Sequence, residues 1–431
     1  MNSNKNLFLT SLLVISTYIN FAQTKSFYFG SKKDVKNSIN VKSPIAYNPD
    51  LGYGFDFNTT NKVKVTKQAL TAEGSVYFSV KLPEGNYKVD VVIGDKKPSE
   101  TTIKAESRRL MLKQLKVEKK DTVHFSFTVN VRTPQINNND AIRIKARDKN
   151  QLNWDDKLTL EFLGTPAVQS ITITPVSNIT TIFLAGDSTV TDQDVEPWAS
   201  WGQFFTNYIS NAAVVANYAE SGSSLSAFKA AKRLDKILSL MKPGDYLFIE
   251  FAHNDEKQKG PGIGPWESYT NLLNEYINKA RDKGGIPILC TPTQRRAFNS
   301  DGSLKETHGD FPAAMRKVAI NASVPLIDIT EMTTKMYESW GDEVSRNAFV
   351  QYPANTFPGQ FTKLEDNTHF NSFGANEIAK CVVQAIKDLN LYLAHYLRRN
   401  IPKYNPLAPN EINNWNLPLS SRFEVKKPDG N

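Results

Sequence analysis

The sequence predicts an antiparallel β-sandwich followed by a doubly wound α/β unit with a parallel five-stranded sheet, and three observations carry that prediction. From about residue 26 to residue 162 apolar and polar residues alternate with period two, as in Tyr87, Val89, Val91 and Ile93 or Val123, Phe125, Phe127, Val129 and Val131. After residue 178 short apolar runs alternate with amphipathic helical stretches, the pattern of strands covered on both faces. The length of 431 residues provides for two or three folding units, each with its own core.

Composition narrows the class. At 40% hydrophobic, 22% charged and 11% aromatic, the chain is neither disordered, collagen-like nor coiled-coil. Its two cysteines, Cys290 and Cys381, cannot build a disulfide scaffold or a four-thiolate zinc site, and they read as buried small hydrophobes. The net charge of +8 comes from dispersed Lys and Arg without a concentrated basic tract. That distribution argues against nucleic acid and reads first as a solubility effect, with an anionic polysaccharide as the partner a positive surface would favour.

Taken in order, residues 1–22 carry Lys5, an apolar stretch from Leu7 to Ile19 and the small-residue ending Phe21-Ala22. This is the pattern of a secretory signal peptide, so the mature chain is expected to be secreted or periplasmic. Thr10, Ser11, Ser16, Thr17 and Asn20 interrupt the stretch, which is too short for a membrane span. Residues 23–165 should form the sandwich, with turns at Leu82-Pro83-Glu84-Gly85-Asn86 and Asn137-Asn138-Asn139-Asp140. Within it, residues 50–56 (DLGYGFD) read either as a sugar-stacking surface or as strand and turn packing.

Residues 166–178 read as a Thr, Pro and Ser-containing connector, and residues 179–397 as the α/β unit. Its strands are expected at residues 182–185, 214–216, 246–249, 286–289 and 324–327, with a helix from Glu267 to Lys283. The Pro and Asn-rich tail, residues 398–431, either wraps back through Trp415 and Leu417 or stays mobile.

In a doubly wound sheet, ligands bind beyond the carboxyl ends of the strands, so strand-end motifs are the candidates for chemistry. The first strand runs into Gly186-Asp187-Ser188-Thr189, which places a hydroxyl on a tight turn; a helix cap would use the same residues. The second ends near Gly222, whose N–H can approach a ligand closely, and the third near His253-Asn254, which supplies an amide donor. A late loop holds Asp366-Asn367-Thr368-His369. An Asp three residues before a His can hold Nδ1–H and leave Nε2 free to take a proton from a serine. His308 with Asp310 is the rival base, although Asp310-Phe311-Pro312 also reads as a helix start. A hydroxyl, a glycine N–H, an amide and an Asp-His pair together supply what acyl transfer needs.

The order Gly186-Asp187-Ser188, Gly222, Asn254 and Asp366-x-x-His369 resembles the SGNH, or GDSL-type, hydrolases. Trp201-Gly202-Gln203, Thr291-Pro292-Thr293-Gln294-Arg295-Arg296 and residues 369–375 (HFNSFGA) are similar to the rhamnogalacturonan acetylesterase branch, and the similarity spans about residues 180–395. Ala252 departs from the family's usual glycine before His-Asn. The first half resembles galactose-binding-like sandwiches attached to secreted carbohydrate-active enzymes. The resemblance implies Ser188 as nucleophile, His369 as general base, Asp366 as its orienting partner, and an oxyanion hole from Ser188, Gly222 and Asn254, with no metal or organic cofactor. It implies an acetylated acidic plant polysaccharide as substrate, with Arg295, Arg296 or Lys side chains as carboxylate contacts, the two arginines equally serving as local ion-pair partners. Activity should rise through neutral pH as the base loses its proton. Acetylated xylan is the alternative substrate, and a non-catalytic carbohydrate-binding or adhesion protein is the alternative of another class. Oligomeric state is not encoded in any of these motifs.

Overall fold

The computed structural model describes residues 23–32 and 34–430; residues 1–22, where the sequence pattern led to the expectation of a signal peptide, lie outside the described residues. In the first half two sheets face each other. One orders its strands Val123–Val131, Gly85–Ile93, Ala167–Pro175, Lys25–Phe29 and Ile39–Val41, with Val63–Val65 and Leu70–Ala72 beside them. The other runs Tyr53–Asp56, Val76–Lys81, Lys157–Thr165, Ser99–Ala105 and Arg109–Val117. Pairing in these sheets is antiparallel except between Lys25–Phe29 and Ile39–Val41, which run parallel. Period-two alternation decides which face is buried: Tyr87, Val89, Val91 and Ile93 are buried, while Lys88, Asp90 and Val92 are half-buried. Phe78 anchors the core edge-on against Phe27, Phe29 and Phe55, with ring centroids 5.2, 5.3 and 5.3 Å away. Phe55 is thus committed to the core, which favours packing as the role of residues 50–56.

The connector expected at residues 166–178 requires correction. Ala167–Pro175 is a strand at the middle of the first sheet, paired with Gly85–Ile93 on one side and Lys25–Phe29 on the other. A register shift between Val168 and Ser170 changes the phase, so the buried residues are Ala167, Val168, Ile171 and Ile173 rather than every second one. That bulge hid the strand from a period-two reading.

The second half has five parallel strands: β1 (Thr180–Gly186), β2 (Ala213–Asn217), β3 (Tyr246–Glu250), β4 (Ile286–Cys290) and β5 (Leu326–Ile327). Their order, β2-β1-β3-β4-β5, reverses beside β1, so the crevice beyond β1, β2 and β3 is the binding position this topology favours. The helices are α1 (Trp201–Phe205), α2 (Leu225–Ala230), α3 (Arg233–Leu240), α4 (Thr270–Asp282), α5 (Phe311–Ala322), α6 (Ile329–Ser345) and α7 (Ser372–Asp388). The helix expected from Glu267 begins as a π-turn, Pro265–Tyr269, before becoming α4. Tyr269, Leu273, Tyr276, Ile277 and Ala280 then face the core.

Cys290 and Cys381 are buried and unpaired. The tail wraps back: Trp415 donates to Ser372 Oγ at 3.0 Å, and Leu417 and Tyr404 are buried. Ser420 then bridges the halves, its Oγ donating to Glu161 Oε2 at 2.7 Å and accepting from Lys104 Nζ at 2.7 Å in the sandwich, while its N–H donates to Glu196 Oε1 of the α/β half at 3.0 Å. Among the described residues, no helix is long and apolar enough to cross a membrane.

Candidate active site

β1 ends in a turn that only glycine can open. A Cβ on Gly186 would lie 2.5 Å from Val190 Cγ2 and 3.0 Å from Glu250 O. Asp187 then caps the turn, its Oδ1 accepting from both Thr189 N and Thr189 Oγ1 at 2.9 Å, which leaves Ser188 facing the crevice. The Ser188 carbonyl accepts from Gln193 Nε2 at 2.9 Å and Ser200 Oγ at 2.6 Å, so the turn is held from behind. Burial opposes the Asp187 charge, yet His253 and the Thr189 donors hold its carboxyl below the ordinary range. At the end of β3, Glu250 Oε1 lies 3.0 Å from Thr189 Oγ1, and its Oε2 accepts from Trp201 Nε1 at 2.6 Å. Burial and the neighbouring Asp187 push its carboxyl up to about 8.

Asp366 and His369 were expected on a loop, but they lie on a strand, Leu364–Phe370, paired with Phe349–Tyr352. An irregularity between Phe349 and Gln351 loosens that pairing. There Asp366 Oδ1 accepts from Thr368 N at 2.7 Å and His369 N at 2.8 Å, folding the chain so that the imidazole returns over the carboxylate. Asp366 Oδ2 lies 2.8 Å from His369 Nδ1, and His369 Nε2 lies 2.9 Å from Ser188 Oγ. All three side chains are buried. Burial works against the Asp366 charge, but the His369 ring and the two N–H groups hold the carboxyl well below the usual range. With Nδ1 donating to a carboxylate, Nε2 is the ring's acceptor towards the serine hydroxyl. Trp198 packs edge-on against the ring at 5.8 Å.

The two other expected donors flank the same crevice. Gly222 has φ of +77°, where a side chain would be strained. Asn254 donates through Nδ2 to Ser223 O at 3.1 Å and accepts from Lys257 Nζ at 3.3 Å, which fixes the amide's orientation. Ala252 is buried and does not adopt positive φ, so its backbone makes no demand for glycine. Ser188, His369 and Asp366 are therefore joined by hydrogen bonds, and Asn254 is tied to the residue after Gly222 at the neighbouring strand ends.

His308 does not join them. Its Nε2 lies 2.9 Å from Thr293 O and its Nδ1 3.0 Å from Glu256 Oε2, so both ring nitrogens are engaged away from Ser188. Of the two readings of Arg295 and Arg296, the local one holds: Arg295 pairs with Glu256 and Arg296 with Asp342. Arg296 also donates to Asn367 Oδ1 at 2.9 Å, steadying the turn that carries Asp366.

A group from the sandwich entered no motif. Between its strands Ser99–Ala105 and Arg109–Val117, the turn reaches into the segment after Ser188: Ser107 Oγ donates to Asp194 Oδ1 at 2.6 Å, Arg108 Nη1 to Trp198 O at 2.7 Å, and Arg109 Nε to Asp192 Oδ2 at 2.8 Å. Read as sequence, Glu106-Ser107-Arg108-Arg109 is an ordinary polar turn. Glu250 had a better signal, a lone carboxylate closing the apolar run of β3.

A nucleophile turn leaving the first strand of a 2-1-3-4-5 sheet, with an Asp-His pair returned to it from a late strand, defines a carboxylic ester hydrolase of the SGNH fold. The chain belongs to the GDSL-like lipase/acylhydrolase family, whose model matches residues 184–375. It is 39% identical over 218 residues to rhamnogalacturonan acetylesterase RhgT of Bacillus subtilis (strain 168), covering 50% of this chain and 93% of that one. Probable rhamnogalacturonan acetylesterase YesY of the same organism is 35% identical over 215 residues, covering 49% and 94%. The uncharacterized esterase YxiM, also from that organism, is 25% identical over 378 residues, covering 84% of this chain and 90% of its own.

Proposed function

We propose that this chain is a serine carbohydrate esterase that removes acetyl groups from pectic rhamnogalacturonan. The chemical part of the reading is carried by the contact of Ser188 Oγ with His369 Nε2 at 2.9 Å, backed by Asp366. The substrate part is supported by the two relatives named as rhamnogalacturonan acetylesterases.

In this mechanism Ser188 Oγ attacks the acetyl carbonyl while His369 Nε2 takes the hydroxyl proton. The N–H groups of Ser188 and Gly222 and the Asn254 amide receive the developing oxyanion. As the tetrahedral adduct collapses, His369 returns the proton to the departing sugar oxygen and leaves an acetyl ester on Ser188. Water, deprotonated by His369, then adds to that ester, and acetate leaves as Ser188 regains its proton. Asp366 keeps the imidazole in the required tautomer and balances its charge when protonated. Export belongs to the same reading, resting on the signal-peptide pattern of residues 1–22.

The test is acetate release from acetylated rhamnogalacturonan and acetylated xylan side by side, with Ser188→Ala as control. Release preferring rhamnogalacturonan, lost by a factor of about 10³ or more in Ser188→Ala, is expected. Xylan preference would retain the chemistry and overturn the substrate; glycan binding without release would identify a binding protein instead.

A further inference from the structure

The wrapped tail ends across the oxyanion donors. Gly430 is so close to them that a Cβ there would lie 2.7 Å from Asn254 Oδ1 and 2.8 Å from Gly222 Cα. Lys427 Nζ is 3.2 Å from Asp366 Oδ2. Between these two residues, Asp429 turns its carboxylate onto two cations from the sandwich half. Arg147 Nη1 donates to Asp429 Oδ1 at 2.6 Å, and Lys145 Nζ stands 3.7 Å from Oδ2.

Lys145 is held in place independently of Asp429, whereas Arg147 is held by the tail itself. Lys145 donates to Ser221 O at 2.5 Å, which sets its Nζ 3.2 Å from the position a Cβ on Gly222 would take. Glu220, 3.9 Å from the same ammonium, is already paired with Arg233 at 2.6 Å and accepts from Ser223 Oγ at 2.8 Å. Arg147 donates to Lys427 O at 3.2 Å and has Asp148 only at 4.0 Å. Both cations sit on the stretch between the strands Asp140–Ala141 and Lys157–Thr165, Lys145 just before and Arg147 within the short 3₁₀ turn Ala146–Asp148.

An ester poised on Ser188 and residues 427–430 cannot share this crevice, so substrate must displace that segment. Displacement would leave two cations beside the Gly222 donor without their closest carboxylate, in a crevice built to receive a sugar ester. Arg295 and Arg296 are spent on local carboxylates and offer no comparable charge.

We propose that Lys145 and Arg147 form a subsite for a carboxylate of the polysaccharide next to the acetylated position, and that Asp429 fills this subsite while substrate is absent. The inference rests on the acetylesterase reading above and adds to it the group that selects an acidic polymer. A guanidinium and an ammonium converging on one carboxylate give charge-assisted hydrogen bonds, which a neutral polymer cannot make.

Acetate release by the full chain is compared on acetylated rhamnogalacturonan and on the same polymer after its uronate carboxyls have been reduced to alcohols. The native chain should show about tenfold higher kcat/KM on the carboxylate polymer, expressed in KM, and Lys145→Gln with Arg147→Gln should bring the two polymers to within about threefold. Lys145→Arg with Arg147→Lys keeps both charges and should keep most of the preference, which separates charge recognition from misfolding. Asp429→Asn should lower KM for the carboxylate polymer about two- to fivefold. A preference unchanged in the double Gln variant overturns the subsite, and an unchanged KM in Asp429→Asn overturns its occupation by Asp429. Equal release from both polymers by the native chain overturns the subsite while the esterase reading stands. Release from neither overturns that reading and the subsite with it.

Discussion

Arg109, at the start of a sandwich strand, donates through Nε to Asp192 Oδ2 of the α/β half at 2.8 Å, and neither side chain is exposed. Arg132 reaches the same oxygen at 3.2 Å, while Asn217 Nδ2 donates to Asp192 Oδ1 at 2.8 Å. Asp192 therefore answers two buried guanidinium groups that meet across the seam. Burial and the nearby Arg109 already push Arg132 down to about 10. Asp192→Ala would leave both cations buried without an anion, a loss of about 3–5 kcal/mol in unfolding free energy. Urea denaturation of the full chain checks this, and a loss below about 1 kcal/mol would mean that water reaches the pair.

Asp366→Asn keeps an acceptor for the N–H groups of Thr368 and His369 but removes the charge that orients the ring. The asparagine amide favours the wrong imidazole tautomer, so kcat should fall by about 10⁴ with KM nearly unchanged. Steady-state acetate release measures both parameters. A fall below about tenfold would assign the orienting role to another group.

The strand-end motifs were legible because β1, β2 and β3 are buried apolar runs that stop where the backbone enters the crevice. His369 could be matched to Asp366 because the two are local, three residues apart. The pairing of Ser107, Arg108 and Arg109 with residues 192–203 was not legible, since contacts across some 90 positions leave no periodicity in either segment. The strand Ala167–Pro175 escaped through its bulge, and the end of the tail offers only Lys-Lys-Pro-Asp-Gly, whose partners are set by the fold.

Glu250 gives the protein a slope in stability at neutral pH. Its folded pKa is raised to about 8 against an unfolded value near 4.3, so the folded state holds a proton that the unfolded state has released. That contribution is full below the unfolded value and is lost as pH rises through about 8. His253, lowered to about 4 by burial, has the opposite sign and offsets it only up to the unfolded imidazole value near 6.5. Between pH 6.5 and 8 the Glu250 term stands uncompensated by His253. Over that interval, Glu250→Gln should lose about 2 kcal/mol less stability than the native chain. Chemical denaturation at the two pH values measures the difference, and parallel losses would show that Glu250 is ionised in the fold.

Asn254 separates oxyanion binding from ordinary substrate binding. Its amide is held at both ends, by Ser223 O at 3.1 Å and Lys257 Nζ at 3.3 Å, so a donor beside Gly222 is set before any ester arrives. A preorganised donor acts on the charge that forms during attack and contributes little to the neutral ground state. Asn254→Ala should therefore lower kcat by about 10²–10³ and leave KM close to its original value. Asn254→Asp replaces the donor with a negative charge facing the oxyanion, and its loss should be greater. Steady-state kinetics on one acetylated substrate distinguishes the two effects: an unchanged kcat with a raised KM in Asn254→Ala would make Asn254 a ground-state contact and leave the oxyanion to the backbone N–H groups of Ser188 and Gly222.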